Sequence, residues 1–544
     1  MSRKNLFIFI LIIIAATFLR FYRIIEVPPG VNQDEASIGY TAYSLLHTGK
    51  DEYGKFFPLS FESFGDWKLP FYIYITLPMV YFFGLTEQAV RTPSAIFGIL
   101  SVVGTFFLVQ LLFKNKVLSL ISMFLVAISP WSLHLSRVES ESNTAVFMII
   151  LGTIFFLKSF RTKGWIILSS ILFALTYFIY AGNHIFTTLF VLGLIFIYRA
   201  QLSKTRLNII ALVIFLCFSG LIFYSTLFGA DATKLAGIGI FGDPSIVHSK
   251  IEIPRTEHPK PDYLFTKIVH NRVVFAAERF FQNYLNAFSP QFLFIKGGEN
   301  RAHNILNFGN MYLVEAPFLF LGLVYLLFFK KGKDRNLLLL WFFIAPIAAS
   351  ITKDAPHTNR MFAIVPVLQI VTGLGIYWFL NDLLKQKILK SAAFIIMCLL
   401  FVLNFSIYMD RYYVHFPKHE AQSWGIGYEA LNKLLSQPAF AEKKVIMARP
   451  EYSPYIHLLF YSRYDPDLYQ KQAMRYPPTA DKFVHVKEFG RYEFREINWQ
   501  KDINSRAILV DWTSRVPESV KKDMEITEIT LPNGESMFTV VETR

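Results

Sequence analysis

LPFYIYITLPMVYFFG, residues 69–84, is the stretch whose reading decides the fold. It is apolar and could be counted as a membrane span. It has about sixteen residues, fewer than the roughly twenty that cross a bilayer as a helix. It also contains Pro78 and lacks a basic flank on its far side. Counting it as a span would invert every later segment and place all later basic clusters outside. We therefore read it as an interfacial helix lying on the outer leaflet.

The chain around it is a series of spans. Its 544 residues are 53% hydrophobic and 17% charged, which excludes a single soluble domain. Apolar runs of spanning length fall near 5–25, 90–113, 117–135, 143–158, 164–181, 184–199, 207–228, 311–329, 336–351, 361–380 and 389–409. The 56 phenylalanines and 27 tyrosines suit lipid-facing and interfacial positions. The first run continues into Phe21-Tyr22-Arg23 without a small-residue cleavage site, so it reads as a span rather than a signal peptide.

Charge sets the orientation. Short basic clusters lie between alternate spans: Arg3/Lys4, Lys114/Lys116, Lys158/Arg161/Lys163, Arg199/Lys204/Arg206, Lys330/Lys331/Lys333/Arg335 and Lys385/Lys387/Lys390, against only Asp334 and Asp382. All fall on the side of the N-terminus, which the positive-inside rule assigns to the cytoplasm. The net charge of +14 is thus a topology signal, and nucleic-acid binding drops out. Cys217 and Cys398 sit inside expected spans, so neither a disulfide framework nor a zinc site is available.

The expected fold is an all-α polytopic membrane protein of about 11 transmembrane helices, in a cell membrane with its N-terminus cytoplasmic. The transmembrane module covers 1–409. Its first outer loop, 26–87, holds two interfacial helices, Glu35–His47 and 69–84. Its second large outer loop, 229–310, carries a helical stretch at Val269–Phe288. From 410 to 544 a C-terminal extracytoplasmic α/β domain is expected, with strands at Lys444–Ala448, Ala507–Val510 and Met537–Val541 and a helix at Tyr455–Tyr461.

Candidate chemistry concentrates on the outer face, at loop–helix junctions: Asp34, Glu35, Asp51, Glu52, Asp66, Lys68, Arg91, Arg137, Glu139, Glu141, Lys353, Asp354, His357 and Arg360. Such a set suits a substrate with an anionic head and an apolar tail. Cations hold a phosphate by charge-assisted hydrogen bonds, and a carboxylate removes a proton from an attacking hydroxyl. Each residue also has a plainer reading. Asp34 could be a helix N-cap, with Glu35 placed against the helix dipole. Arg91 could be a snorkelling anchor and Lys68, beside Trp67, an interfacial one. Ser136–Asn143 could be a solvated turn, and His357 and Arg360 ordinary loop surface.

Residues 28–98, PPGVNQDEASIGYTAYSLLHTGKDEYGKFFPLSFESFGDWKLPFYIYITLPMVYFFGLTEQAVRTPSAIFG, resemble the first outer loop of family 39 glycosyltransferases. That family belongs to the C-type (GT-C) polytopic superfamily, with the protein O-mannosyltransferases and the lipid A aminoarabinose transferase as relatives. The Asp34-Glu35 pair, Lys68-Leu69-Pro70 and Arg91-Thr92-Pro93-Ser94-Ala95 carry the resemblance. AISPWSLHLSRVESESN, 127–143, is similar to the segment after the family's third span. The likeness covers roughly residues 1–200 well and the later spans loosely.

The resemblance implies sugar transfer with inversion, from a polyprenyl-phosphate donor to an extracytoplasmic acceptor (protein, lipid or glycan). It makes Asp34 the general base, assisted by Glu35, and Lys68, Arg91, Arg137, His357 and Arg360 the donor-phosphate contacts. Further candidates are Asp66, Glu139, Glu141 and, in the second outer loop, His270, Asn271 and Arg301. Two glutamates stand where the family has one aspartate, and Trp67 stands where the aminoarabinose enzyme has glutamate. No cofactor is required, although a divalent metal, Mg or Mn, suits carboxylates near phosphate. Two rival classes are a lipid-linked glycan flippase, which would bury ionisable groups at mid-membrane, and a glycan-binding membrane receptor, which would not need eleven spans.

Overall fold

The structure, a computed structural model, describes residues 2–202, 205–228, 237–243, 245–305, 307–479 and 483–543. Residues 229–236, at the start of the expected second outer loop, lie outside the described residues. The chain forms two compact units: 1–20, 96–136 and 140–408 make one, and 21–95, 137–139 and 409–544 the other.

Among the described residues, six helices are long and apolar enough to cross a membrane: Arg3–Phe21, Glu87–Phe113, Glu141–Ser159, Arg206–Tyr224, Phe362–Leu383 and Lys387–His419. A seventh span would be the pair Lys116–Ile128 and Pro130–Ser136, bent by 56°. The bend falls where Pro130, without an N–H, cannot continue the hydrogen-bond ladder. Shorter apolar helices, Trp165–Phe178, Gly182–Tyr198 and Leu313–Phe329, stand at three more expected spans. The expected span at 336–351 is Lys333–Ile344 followed by the turn Ile347–Ser350.

The first unit packs its helices through small residues. A Cβ at Gly322 would lie 1.9 Å from the Val371 carbonyl oxygen, and one at Gly375 1.9 Å from that of Phe318. The helices holding these glycines therefore touch backbone to backbone. Lipid supplies no hydrophobic drive between helices, so such close contact is what holds them.

In the second unit, the first loop helix runs Gln33–Thr48, and the segment expected to be interfacial forms the helix Pro70–Phe83. Between them lies a hairpin that the sequence reading missed, β1 (Phe61–Ser63) and β2 (Asp66–Lys68), in the register Ser63↔Asp66 and Phe61↔Lys68. Its turn residues, Phe64 and Gly65, have φ of 44° and 84°. Positive φ at both central positions matches the twist of a two-residue hairpin, and glycine supplies it without strain.

The tail contributes a mixed sheet with helices to the second unit, which it shares with residues 21–95. Its strands are β3 (Val445–Met447), β4 (Met474–Arg475), β5 (Val486–Phe489), β6 (Tyr492–Phe494), β7 (Ile508–Trp512), β8 (Ile526–Thr530) and β9 (Ser536–Glu542). They form one sheet in the order β4-β5-β6-β3-β7-β9-β8, with β3 parallel to β6 and β7 and the other pairs antiparallel. The three expected strands are β3, β7 and β9, and the expected helix is Pro454–Ser462. Side chains alternate along each strand, so the sheet serves two cores. Ile446, Leu509 and Val541 face a small cluster with Val516 and Val520. Val445, Met447, Ile508 and Val510 face a larger one that also contains Tyr40, Leu45, Tyr72 and Val90 of the first outer loop. Loop and tail thus share one core.

Candidate active site

Asp34 occupies the first turn of helix Gln33–Thr48, but it does not cap it. The cap is Asn32, whose side chain accepts from the Glu35 N–H at 2.8 Å. The Asp34 carboxylate, 59% exposed, instead accepts from the Lys68 ammonium at 2.5 Å. Lys68 is only 6% exposed and also lies 3.4 Å from Asp66. The hairpin explains this convergence, because residues two apart on a strand share a face, and Asp66 and Lys68 both end β2. The same ammonium lies 4.9 Å over the Phe64 ring at the hairpin turn, a cation–π contact.

Glu35 points the other way, into the unit. It is fully buried and bridges Arg91, also fully buried, in a two-pronged pair at 3.0 and 2.8 Å. Arg91 further donates to the carbonyls of Ile24, Ile25, Pro28 and Gly30, and its guanidinium lies 5.6 Å from the Trp424 ring. Glu35 also accepts from the Glu139 N–H at 3.0 Å. Arg137, 1% exposed, donates to Val27 O at 2.9 Å and to the Tyr412 hydroxyl at 3.3 Å. Its guanidinium lies 5.3 and 5.2 Å from the rings of Tyr412 and Tyr413. Of the expected residues in this unit, Asp34, Asp66 and Lys68 therefore form a surface-facing set. Glu35, Arg91, Glu139 and Arg137 instead tie the segment 24–35 to its surroundings.

Several tail groups hold the first loop. The Val31 N–H donates to the Tyr461 hydroxyl at 3.1 Å, and the Tyr40 hydroxyl donates to Tyr464 O at 3.1 Å. The Gln470 amide donates to Ser44, Thr48 and the Asp51 carbonyl. Next to these, Glu52 is buried, accepts from the Tyr455 hydroxyl at 3.2 Å, and its carbonyl accepts from Arg475. Burial raises the Glu52 carboxyl to about 7, with Arg475 pulling in the opposite direction.

The first unit carries a second charged set. Arg360 donates to Asp354 and, at 2.9 Å, to the Thr352 hydroxyl. His357 lies 3.8 Å from Asp354, and its ring centroid is 5.2 Å from that of His303. Burial, with the Arg360 charge beside it, lowers the His357 imidazole well below its ordinary value, so this ring is neutral at pH 7. The Thr358 hydroxyl donates to Asn304 at 2.6 Å. Glu141 is half-buried and begins helix Glu141–Ser159, which Ser140 caps. Asn271 is an N-cap, accepting from the Val273 and Val274 N–H groups. His270 lies 3.1 Å from His258, and Arg301 is exposed.

Among the described residues, no group of three or more His, Cys, Asp or Glu is placed to hold a metal ion. Asp34 and Asp66 share an ammonium, so as arranged they do not fit a dication between them.

Sequence reasoning missed Asn32, Phe64 and His303. A signal for the hairpin existed, since glycine at 65 follows an alternating strand-like run. Residues 10–227 match the family model of dolichyl-phosphate-mannose-protein mannosyltransferases. No curated protein matches the chain significantly. Among solved structures, the fold resembles ArnT from Cupriavidus metallidurans in the apo state, with TM-score 0.54 and 11% identity over 98% of this chain and 97% of that one. The same protein bound to undecaprenyl phosphate gives 0.52 and 11%, over 98% of each. Archaeal oligosaccharyltransferase AglB from Archaeoglobus fulgidus, solved with an inhibitory peptide and a dolichol-phosphate, gives 0.51 and 14% over 85% of this chain. The chain spans 64% of that protein's length. These matches bear out the resemblance to the GT-C glycosyltransferases that the sequence motifs carry.

Proposed function

We propose that this chain is an integral membrane glycosyltransferase. It moves a sugar from a polyprenyl-phosphate-linked donor to an extracytoplasmic acceptor and inverts the anomeric carbon. The observation that carries this reading is an exposed carboxylate, Asp34, held by a buried lysine, Lys68, within the segment that matches the mannosyltransferase family. The undecaprenyl phosphate bound to ArnT and the dolichol-phosphate bound to AglB support the donor class.

The chemistry is one displacement. The acceptor hydroxyl loses its proton to the Asp34 carboxylate as its oxygen bonds to the anomeric carbon. The bond from that carbon to the phosphate oxygen breaks, and the electron pair leaves with polyprenyl phosphate. Cations stabilise the charge that develops there. Without donor, Lys68 is held by Asp34 and Asp66. A donor phosphate competes for the ammonium and turns the Asp34 carboxylate towards the acceptor. Glu35, Arg91, Glu139 and Arg137 position the segment that carries Asp34, and no step runs through a metal.

The orientation follows the basic clusters, with the N-terminus cytoplasmic and loop and tail outside. The test is to incubate purified protein with polyprenyl-phosphate mannose, glucose, galactose and amino-sugar donors and to score release of free polyprenyl phosphate. Release that disappears in Asp34→Asn supports the reading. Inertness with every donor, or undiminished release in the variant, counts against it.

A further inference from the structure

Helix Arg272–Asn286, in the first unit, has three faces. Val273, Ala277, Phe281 and Leu285 follow each other four residues apart, so they form one row along the helix. All four are exposed, Val273 at 77%, Phe281 at 62% and Leu285 at 68%. A second face carries Glu278, Gln282, Arg279 and Arg272. The third packs inward, where Asn283 is buried and donates to the carbonyls of Ser350 and Thr352. The preceding short helix, Leu264–Val269, exposes Leu264, Phe265 and Ile268 as well.

An exposed apolar row costs free energy in water, which burial of the Phe and Leu side chains would recover. The place of the helix indicates what covers the row. Its Tyr284 hydroxyl donates to Phe343 O at 2.8 Å, and the following Phe288 ring stacks on Phe342 at 5.0 Å. Phe342 and Phe343 lie in helix Lys333–Ile344, within the segment expected to span at 336–351. Asn283, on the Ser350 and Thr352 carbonyls, fixes helix Arg272–Asn286 at the outer end of that segment.

We propose that Arg272–Asn286 is an interfacial anchor whose Val273–Leu285 row inserts into the acyl boundary of the outer leaflet. Arg272 and Arg279 reach the headgroup phosphates from the polar side. The second outer loop is thereby moored to the bilayer, whether or not the chain transfers sugars.

The test uses the full chain in phospholipid nanodiscs, with Cys217→Ser and Cys398→Ser as background and a nitroxide attached through Ala277→Cys or Gln282→Cys. The expected result is that the label at 277 collides more with oxygen than with a water-soluble nickel chelate, and the label at 282 the reverse. Preferential collision with the chelate at 277 overturns the proposal. So does a 277 label shielded from both reagents, with dipolar broadening identifying a second copy of the chain as the cover.

Discussion

The Lys68 ammonium meets the Asp34 carboxylate at 2.5 Å, yet the lysine is 6% exposed and the aspartate 59%. The pair sets a solvent-facing carboxylate on an anchored cation. Asp34→Asn keeps the size and the contact to Lys68 but removes the proposed base. We expect turnover to fall about 10²- to 10⁴-fold, with donor binding largely kept, measured as release of polyprenyl phosphate. Lys68→Gln should instead raise the KM for donor.

Glu35 and Arg91 are a buried pair. Removing one partner from such a pair leaves an uncompensated charge and costs about 3–5 kcal/mol. Glu35→Gln and Arg91→Met are each expected to lower the unfolding temperature markedly in a thermal melt. The fraction that remains folded should keep its KM for donor. A variant of normal stability and lost turnover would make Glu35 a catalytic group.

Glu52 makes stability depend on pH. Unfolded, its carboxyl ionises near 4.5; folded, burial raises it to about 7. Below 4.5 both states are protonated. Between the two values only the unfolded state sheds the proton, so stability falls as pH rises, and above 7 the loss is constant. At about 1.4 kcal/mol per unit the whole effect is on the order of 3 kcal/mol. Glu52→Gln should therefore raise the melting temperature at pH 8 and change it little at pH 4.5.

Gly39 tests the packing of loop against tail. A Cβ there would lie 2.7 Å from the Phe460 ring and 2.8 Å from the Val90 side chain, inside the core that loop and tail share. Gly39→Leu overpacks it, at a cost of about 1–3 kcal/mol or more. Limited proteolysis should then cut within 49–60 sooner than in the parent chain. Equal protection would show that the loop holds itself.

Much of this was legible in the sequence. The apolar runs, the short helix at 69–84 and the strands β3, β7 and β9 stand where pattern placed them. The hairpin at 61–68 was not, because its strands are three residues long and their burial comes from neighbours elsewhere in the chain. The cap of the first loop helix was read as a choice involving Asp34; the asparagine two residues earlier takes that role. Glu35 and Arg91 read as assistant base and phosphate contact because sequence gives charge and spacing, not direction.

By itself the sequence determined the succession of apolar helices, the basic clusters between them and the α/β character of the tail. These are local properties, since about twenty apolar residues cross a bilayer wherever they stand in a chain. Only the tertiary structure decided that Lys68 reaches Asp34 across 34 residues and that Arg91 reaches Glu35 across 56. Those pairs depend on which faces of distant segments pack together. A sequence that places two adjacent carboxylates on one helix cannot say which of them faces water; burial of one face against the loop and tail core decides it.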